Sequence, residues 1–371
     1  MKKRILLCLG GYKPELAGGA KSHEQIIKSL NQKINFNIIS FSKKYDDNFS
    51  FKIKKIYRIK SYKNILILKS LLKLISYFIS IRHSFDLLHL RGHTQKNIIL
   101  IILAKIFNKK IIFTPTRYKE DDINTIRNKS FFQYFFLKKI DLVHCIAPIF
   151  FTLKNNFVKK KFKFKYLPNL VDTNYFKLTK KKNKVLNILC VGFFSEIKNQ
   201  KLLYDAWLNI SKKYNCTLTF VGKKKFNYYL SSDHYFEKIY IDAKKKEVLD
   251  KIFFIEHSNK MSKIYNSSDI FVLPSLSEGM PNALVEAMSS SLPCITTNLK
   301  NINSQIIDHG LNGYLFKINN KKKLEKYLIK LIKSKKLRKK IGDEARKTIN
   351  KNFSIIHNIN SYEKMYYSLI D

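Results

Sequence analysis

Residues 272–288 have the sequence VLPSLSEGMPNALVEAM. A short apolar run ends at Pro274, a polar loop with Glu278 and Gly279 follows, and an amphipathic helical pattern begins near Pro281. Proline suits the first position of a helix, because that position needs no N–H hydrogen bond. Strand, glycine loop and helix in this order are typical of α/β folds, in which free amides at the helix start bind anions. The stretch therefore predicts a parallel sheet with an anion-binding loop.

The same alternation of apolar runs and helical patterns extends along the whole chain. It predicts strands at 4–9, 37–41, 87–90, 110–114, 142–146 and 165–167 in a first half, and at 187–191, 217–221, 252–255, 270–273 and 294–296 in a second half. Helices are predicted at 22–30, 321–332 and 337–349, the last one interrupted by Gly342. We therefore expect two doubly wound halves, whose ligands bind in a cleft at the carboxyl ends of the strands.

The length of 371 residues exceeds the size at which one hydrophobic core keeps growing, which favours two domains. A Lys-rich, apolar-poor stretch at 177–184 has the composition of a linker. The predicted organisation is an N-terminal Rossmann-like domain at 1–176, a linker at 177–186, a second Rossmann-like domain at 187–355, and a C-terminal helix at 356–371 that packs back toward the first domain.

The chain contains 71 Lys and Arg residues against 27 Asp and Glu, a formal net charge of +44. Such a charge attracts nucleic acid or an anionic membrane. Most of it is lysine scattered among Asn, Ile and Phe, which also fits the drift of an AT-rich genome, and both interpretations stay open. The sequence has no recognised RNA- or DNA-binding module and no concentrated arginine cluster, so no nucleic-acid partner is expected.

The compartment and the membrane relationship follow from three further patterns. The five cysteines, with no C-x-x-C pair and no zinc-like spacing, are expected to be buried, reduced thiols. The apolar run at 5–9 is too short for a secretion signal, which leaves the cytoplasm as the expected compartment. The apolar stretches 65–81 and 98–107 contain lysines and fall short of the ~20 apolar residues of a spanning helix. The first is amphipathic enough to lie on a bilayer, although a packed core helix is the commoner structure.

Two other segments combine glycines with the start of a helix. Gly10-Gly11 follows the first strand, and Gly18-Gly19-Ala20-Lys21 precedes a helical pattern, so that backbone amides are offered to a phosphate. Glycines also occur after strands simply to make the turn. Residues 191–199 have the sequence VGFFSEIKN, in which Lys198 follows a strand and is suited to contact a diphosphate. A solvated lysine is the alternative in so basic a chain.

Glu278 and Glu286 are eight residues apart, about two helical turns, and so fall near the same face. Glu278 is suited to accept hydrogen bonds from hydroxyl groups while the adjacent amides hold an anion. The alternatives are a carboxylate that merely stabilises the helix dipole at Glu278 and a solvated surface residue at Glu286.

Taken together, these segments closely resemble the family-4 retaining glycosyltransferases, the glycosyl transferases group 1. The resemblance extends over nearly the whole chain, through 18–20, 86–89, 167–172 (LPNLVD), 191–198, 269–288 and 310–313 (GLNG). Its most specific element is the E-x7-E signature of Glu278 and Glu286. The resemblance implies an α/β chain with the GT-B fold, in which two Rossmann-like doubly wound domains face a central cleft. The N-terminal domain would bind the acceptor and the C-terminal domain the nucleotide sugar.

The resemblance also implies the roles of individual residues. Donor binding falls to Gly18, Gly19, Lys198, Glu278, Gly279, Met280, Pro281 and Glu286, and the catalytic candidates are Glu278, Lys198 and His93. Glu286 would bind the ribose hydroxyls, and Lys198 would neutralise the leaving diphosphate in place of a metal, so neither a metal nor a cofactor is expected. A structural histidine that caps the strand is the alternative for His93. No nucleophile is assigned, since the family follows a front-face path without one.

The chain departs from the family pattern at four positions: Phe193 replaces a common arginine, Thr116 a histidine, Gln305 a glutamate and Leu170 a glycine. The phosphate contact absent at Phe193 is left to another basic residue such as Arg91 or Arg117. The expected function is retaining transfer of a sugar from a nucleotide-diphosphate sugar to a saccharide or lipid-linked acceptor in surface polysaccharide or lipopolysaccharide biosynthesis, in the cytoplasm or on the inner face of its membrane. The alternatives are a non-catalytic homologue of the same fold and a basic protein that binds nucleic acid or an anionic membrane.

Overall fold

The computed structural model describes residues 2–9, 18–40, 55–58, 66–92, 96–152, 162–179, 185–224, 234–256 and 258–370. The chain divides into two compact units: Met1–Leu170 with Ile355–Asp371, and Val171–Ser354. The second unit starts before the predicted end of the first domain at 176, because the Val171 N–H donates to the Phe353 carbonyl at 2.9 Å and Val171 pairs with Ser354. Phe176 is fully buried in the second unit. The predicted linker residues 180–184 lie outside the described residues.

In the described part of the first unit, seven strands form one parallel sheet of order β3-β2-β1-β4-β5-β6-β7. The strands are β1 (Lys3–Leu9), β2 (Ile34–Ser40), β3 (Lys55–Arg58), β4 (Leu87–Arg91), β5 (Lys110–Thr114), β6 (Leu142–Cys145) and β7 (Phe164–Tyr166). The helices between them are α1 (Gly18–Leu30), α2 (Leu66–Ser80), α3 (Lys96–Ile106), α4 (Ile123–Lys129), α5 (Phe131–Leu137) and α6 (Pro148–Thr152). Ile5, Leu6 and Leu7 are all fully buried, as expected of a strand covered on both faces.

The second unit contains a six-stranded parallel sheet of order β10-β9-β8-β11-β12-β13 within its described residues. The strands are β8 (Leu186–Val191), β9 (Cys216–Val221), β10 (Ile252–Ile255), β11 (Ile270–Leu273), β12 (Cys294–Thr297) and β13 (Tyr314–Phe316). The helices are α7 (Gln200–Ser211), α8 (Tyr235–Lys245), α9 (Met261–Asn266), α10 (Asn282–Ser289), α11 (Lys321–Lys333) and α12 (Lys335–Asn352). Apolar clusters, one around Trp207 and one around Tyr265 and Met288, form its core.

The last helix, α13 (Ile355–Ile370), belongs to the first unit. It packs beside α1, and Tyr362, Met365 and Tyr366 enter the same apolar cluster as Ile26 and Ile27. Burial of these large side chains offsets the entropy of ordering the chain terminus. Helix α13 therefore contributes to the apolar core of the first unit.

The predicted strands match observed strands to within three residues at their ends, and three further details differ. Strands β3 and β13 were not predicted, because their runs KIYR and YLF are too short to show a period. The predicted interruption at Gly342 was wrong, because α12 runs through it. A Cβ on Gly342 would lie 2.1 Å from the Ser291 carbonyl oxygen, so the glycine permits close helix packing instead of ending a helix.

The predicted state of the cysteines is confirmed, since all five are free and buried. Among the residues that the structure describes, no helix combines the length and the low polarity that crossing a bilayer requires. The stretch predicted as an amphipathic helix at 65–81 forms α2.

Candidate donor site

The candidate site lies where the sheet of the second unit reverses its winding. Strands β8, β9 and β10 extend the sheet in one direction and β11, β12 and β13 in the other, which makes β8 and β11 parallel neighbours. Ligands of such sheets bind beside the carboxyl ends of the strands at this point. The loops that follow β8 and β11 carry most of the predicted donor-site residues. A backbone hydrogen bond of 2.7 Å from the Leu276 N–H to the Ile197 carbonyl holds the two loops together.

The loop after β8 has a fixed shape that presents Lys198. The side-chain amide of Gln200 donates to the carbonyls of Gly192 at 3.2 Å and Phe193 at 2.9 Å, which closes the loop. Asn199 takes the left-handed conformation, with φ of 53°, immediately before α7. The aliphatic part of Lys198 lies over Gly192, where a Cβ would stand 3.4 Å from its Cδ. The Lys198 ammonium is 5.8 Å from the centre of the Phe193 ring.

Lys198 and Glu278 form an ion pair at the junction of the two loops. The distance from Lys198 Nζ to Glu278 Oε1 is 2.7 Å, and the side chains are only 18% and 7% exposed. Removal of one partner would leave the other charge poorly solvated, which is costly in a shielded position. The pair therefore fixes a cation and a carboxylate side by side at the winding reversal.

The loop after β11 ends in the start of α10. The helix begins at Asn282, so Pro281 is its N-cap and not, as predicted, its first helical residue. The Pro281 carbonyl accepts a hydrogen bond from the Leu284 N–H at 3.0 Å. Within the described residues, the N–H groups of Gly279 and Met280 have no hydrogen-bond acceptor. Two amides before a helix N-terminus, close to a lysine, suit an anionic group.

Glu286 lies on α10 and is oriented by Tyr265 on α9. The Tyr265 hydroxyl donates to Glu286 Oε2 at 2.8 Å, and the tyrosine is fully buried. Burial, together with the carboxylate, raises the pKa of Tyr265 well above 10, so the hydroxyl stays protonated. Tyr265 was not predicted as a site residue, because it belongs to no motif and only the fold brings α9 beside α10.

The predicted site residues of the first unit are placed less completely. Gly18 and Gly19 are the first two residues of α1, as a phosphate-contacting helix start requires. His93 and the Gly10-Gly11 pair lie outside the described residues. Strands β1 and β4 are neighbours at the winding reversal of this sheet, so α1 starts near the equivalent edge.

A chain of buried hydrogen bonds links the ends of β4, β5 and β6. His89 bonds Tyr366 through Nδ1 at 3.0 Å and Thr114 through Nε2 at 2.7 Å. Thr114 also bonds His144 Nδ1 at 2.8 Å, and His144 Nε2 lies 2.9 Å from the Leu167 carbonyl. Burial lowers the pKa of His144 to about 3, so this histidine is neutral at physiological pH.

Arg91 is the buried cation of the first unit. Its guanidinium bonds His23 Nδ1 and, at 3.4 Å, Asn169 Oδ1, and the residue is 7% exposed. Burial lowers its pKa to about 10, which leaves it charged at neutral pH. Arg117, the other candidate for the missing phosphate contact, pairs with Glu120 at 2.5 Å. Of the two candidates, Arg91 is therefore the one held by neutral groups.

The remaining departures from the family pattern have structural roles. Thr116 donates its hydroxyl to the buried Asp121 at 2.8 Å, and its backbone N–H bonds the same carboxylate. Leu170 is buried in the apolar cluster of the first unit. Gln305 ends a short 3-10 helix at Asn303–Gln305.

The second unit matches a known family of proteins. A family model described as Glycosyl transferases group 1 matches residues 171–348. An uncharacterized glycosyltransferase of Haemophilus influenzae is 32% identical over 193 residues, which are 51% of this chain and 52% of that protein. The capsular polysaccharide biosynthesis glycosyltransferase CapM of Staphylococcus aureus is 27% identical over 183 residues, 48% of this chain and 46% of that protein. The chain thus spans about half the length of these curated relatives.

The fold of both units has a counterpart among solved structures. Anabaena HepE in complex with UDP and glucose superimposes with a TM-score of 0.78 and 16% identity, over 99% of this chain and 100% of that chain. At this identity the likeness establishes the fold alone. The Glycosyl transferases group 1 model thus matches most of the second unit, and the chain has the α/β GT-B fold seen in solved glycosyltransferase structures.

Proposed function

We propose that this protein is a retaining glycosyltransferase that moves a sugar from a nucleotide-diphosphate donor to a saccharide or lipid-linked acceptor. The observation that carries the proposal is the arrangement at the winding reversal of the second sheet. There the Lys198–Glu278 ion pair joins the loops after β8 and β11, which are also hydrogen-bonded to each other. This geometry suits a ligand that offers an anionic diphosphate and sugar hydroxyls to one small region.

The proposal assigns protein groups to the diphosphate, the sugar and the ribose of the donor. The Lys198 ammonium and the amides of Gly279 and Met280 hold the diphosphate, and Glu278 accepts hydrogen bonds from the sugar. Glu286, oriented by Tyr265, accepts hydrogen bonds from the ribose hydroxyls. In the first unit, Gly18 and Gly19 at the start of α1 add amides for the phosphates.

Charge stabilisation is the main catalytic contribution in this mechanism. The bond between the anomeric carbon and the diphosphate oxygen breaks, and the acceptor oxygen bonds to the same face of that carbon. The acceptor proton passes to the departing diphosphate, so no protein nucleophile takes part. Lys198 stabilises the negative charge that develops on the diphosphate and thereby replaces a metal ion. Arg91 is the candidate for a further phosphate contact in place of the arginine absent at Phe193.

The pathway and the location extend the same proposal. The similarity to CapM supports a place in capsular or other surface polysaccharide assembly, lipopolysaccharide included. Acceptors of such pathways are assembled at the inner face of the cytoplasmic membrane, which makes that face the proposed place of action.

Donor binding tests the proposal directly. Thermal shifts and donor hydrolysis are measured with UDP-, GDP- and ADP-sugars in the presence of a chelator, on the wild type, Glu286→Ala and Glu325→Ala. Glu325 lies on α11 and bonds Asn209, so its variant is the matched control. We expect one donor class to stabilise the wild type and the control but not Glu286→Ala. Absence of a shift with every nucleotide sugar would contradict the proposal.

A further inference from the structure

The short helix α5 exposes three phenylalanine side chains to solvent. Phe131, Phe132 and Phe135 are 74%, 63% and 45% exposed, while Tyr134 and Leu137 on the opposite side are buried. Folding therefore anchors the helix through one face and leaves a large aromatic surface on the other. Contiguous exposed apolar patches are uncommon on soluble proteins and mark surfaces that bind another protein, a ligand or a membrane.

The neighbouring helices extend this surface. Helix α3 packs against both α2 and α5, and exposed aliphatic side chains lie on α2 and α3. Leu72 and Ile79 on α2, and Ile102 and Ile106 on α3, are exposed, with Leu72 and Ile106 more than half so. We call the exposed apolar residues of these three helices the α2–α3–α5 face.

Basic side chains lie on the helices that form the face and on the adjacent α4. The sequences of α2, α3, α4 and α5 contain no Asp or Glu. Lys73, Arg127, Lys129 and Lys139 are exposed on these helices or at their ends. The nearby Asp141 is bound by Lys105 at 2.7 Å, which neutralises it. The result is an apolar surface whose helices carry basic and no acidic side chains.

We propose that the α2–α3–α5 face docks the protein on an anionic lipid bilayer. The phenylalanines and aliphatic side chains enter the boundary between headgroups and acyl chains, and the lysines and arginine contact the lipid phosphates. A second copy of the chain would bring a like-charged rim against this one and be repelled. The bases of RNA would stack on the aromatic rings, but the exposed leucine and isoleucines offer no surface for base stacking. Charge and surface chemistry together therefore favour a membrane.

Vesicle flotation with the full chain tests the docking. Vesicles of phosphatidylcholine alone are compared with vesicles that also contain phosphatidylglycerol, at low and at physiological salt. The Phe131→Ser/Phe132→Ser/Phe135→Ser variant should bind anionic vesicles at least about tenfold more weakly than the wild type. The matched control is Ile241→Ser/Phe253→Ser, which removes two exposed apolar residues from the second unit and should bind as the wild type does. Equal binding by the wild type and the triple variant would overturn the proposal.

A fluorescence experiment separates insertion from charge attraction. The chain has a single tryptophan, Trp207, which is fully buried in the second unit and provides a constant background. In the Phe132→Trp variant, anionic vesicles should shift the emission to shorter wavelength, and brominated lipids should quench it. The Ile241→Trp variant should show neither effect. If binding occurs without quenching in Phe132→Trp, the phenylalanines do not insert and the proposal is wrong.

Two further measurements identify a different occupant. If the wild type sediments as a dimer and the triple serine variant as a monomer, the face is an interface between copies. If single-stranded RNA binds the wild type but not the triple variant, and vesicles bind neither, the occupant is RNA. Donor-induced thermal shifts of all variants should equal that of the wild type, so that failure of docking is distinct from failure of the proposed transferase function.

Discussion

The hydroxyl of Tyr265 donates to the carboxylate of Glu286 across 2.8 Å, from a position with no exposure to solvent. The two residues lie on different helices, α9 and α10, so the hydrogen bond depends on how these helices pack. Tyr265 also packs against Phe176 and Phe271, which fixes the ring and with it the direction of the hydroxyl. The orientation of Glu286 is therefore determined in the core.

The first prediction concerns this positioning. Tyr265→Phe removes the hydrogen bond while keeping the ring, and the donor KM should rise about tenfold, as expected for a lost bond to a charged group. The kcat at saturating donor should change little, since Glu286 binds the ribose. The matched control is Tyr204→Phe, which removes a buried hydroxyl bonded to Asp242 at 2.7 Å away from the site. Titration calorimetry measures donor affinity, and steady-state kinetics measure KM and kcat, for both variants. An unchanged donor KM in Tyr265→Phe would contradict the role of Tyr265 in orienting Glu286.

The ion pair supports a second prediction. Lys198→Met should lower kcat about 100-fold or more, because the leaving diphosphate loses a preorganised positive charge. Lys201→Met is the control, since Lys201 forms a more exposed pair with Asp205 on the same helix. Rates are measured with chelator present, and then with added Mg²⁺. A Lys198→Met enzyme within threefold of the wild-type kcat would exclude this role for the lysine.

The buried histidines predict how stability depends on pH. His144 has a pKa of about 3 in the folded state, lowered by burial and by Arg91 from an ordinary value of 6.5. Above pH 6.5, His144 is neutral in both the folded and the unfolded state, so it does not lower the free energy of unfolding. As the pH falls from 6.5 toward 3, the unfolded state takes up a proton that the folded state refuses, so stability falls by about 1 kcal/mol per pH unit.

Urea unfolding of the first unit between pH 5 and 7.5 measures this slope. His144→Gln should remove about 1 kcal/mol per pH unit from it. His357→Gln, an exposed site on α13, is the control and should leave the slope as it is. An identical slope in His144→Gln and the wild type would show that the buried imidazole does not carry the acid sensitivity.

Close helix packing at Gly342 gives the fourth prediction. A Cβ there would lie 2.1 Å from a backbone oxygen of Ser291, which cannot rotate away. Gly342→Ala should therefore destabilise the second unit by about 3 kcal/mol, a fall of roughly 5–10 °C in Tm. Gly310→Ala is the comparison, since it meets no atom within 4 Å and pays only for its left-handed φ of 86°, about 1 kcal/mol. If calorimetry shows the same loss of stability for Gly342→Ala and Gly310→Ala, the close contact at Gly342 does not cause the destabilisation.

The sequence alone shows the α/β alternation, most strands and the long helices, because period and length are local properties. It also indicated Lys198, Glu278 and Glu286 as one site, since glycine loops after strands converge at the same sheet edge. Three relations emerge only in the folded chain: Lys198 pairs with Glu278, Tyr265 orients Glu286, and Gly342 is a packing glycine. These relations join residues that are distant along the chain, and no local pattern encodes which helices meet.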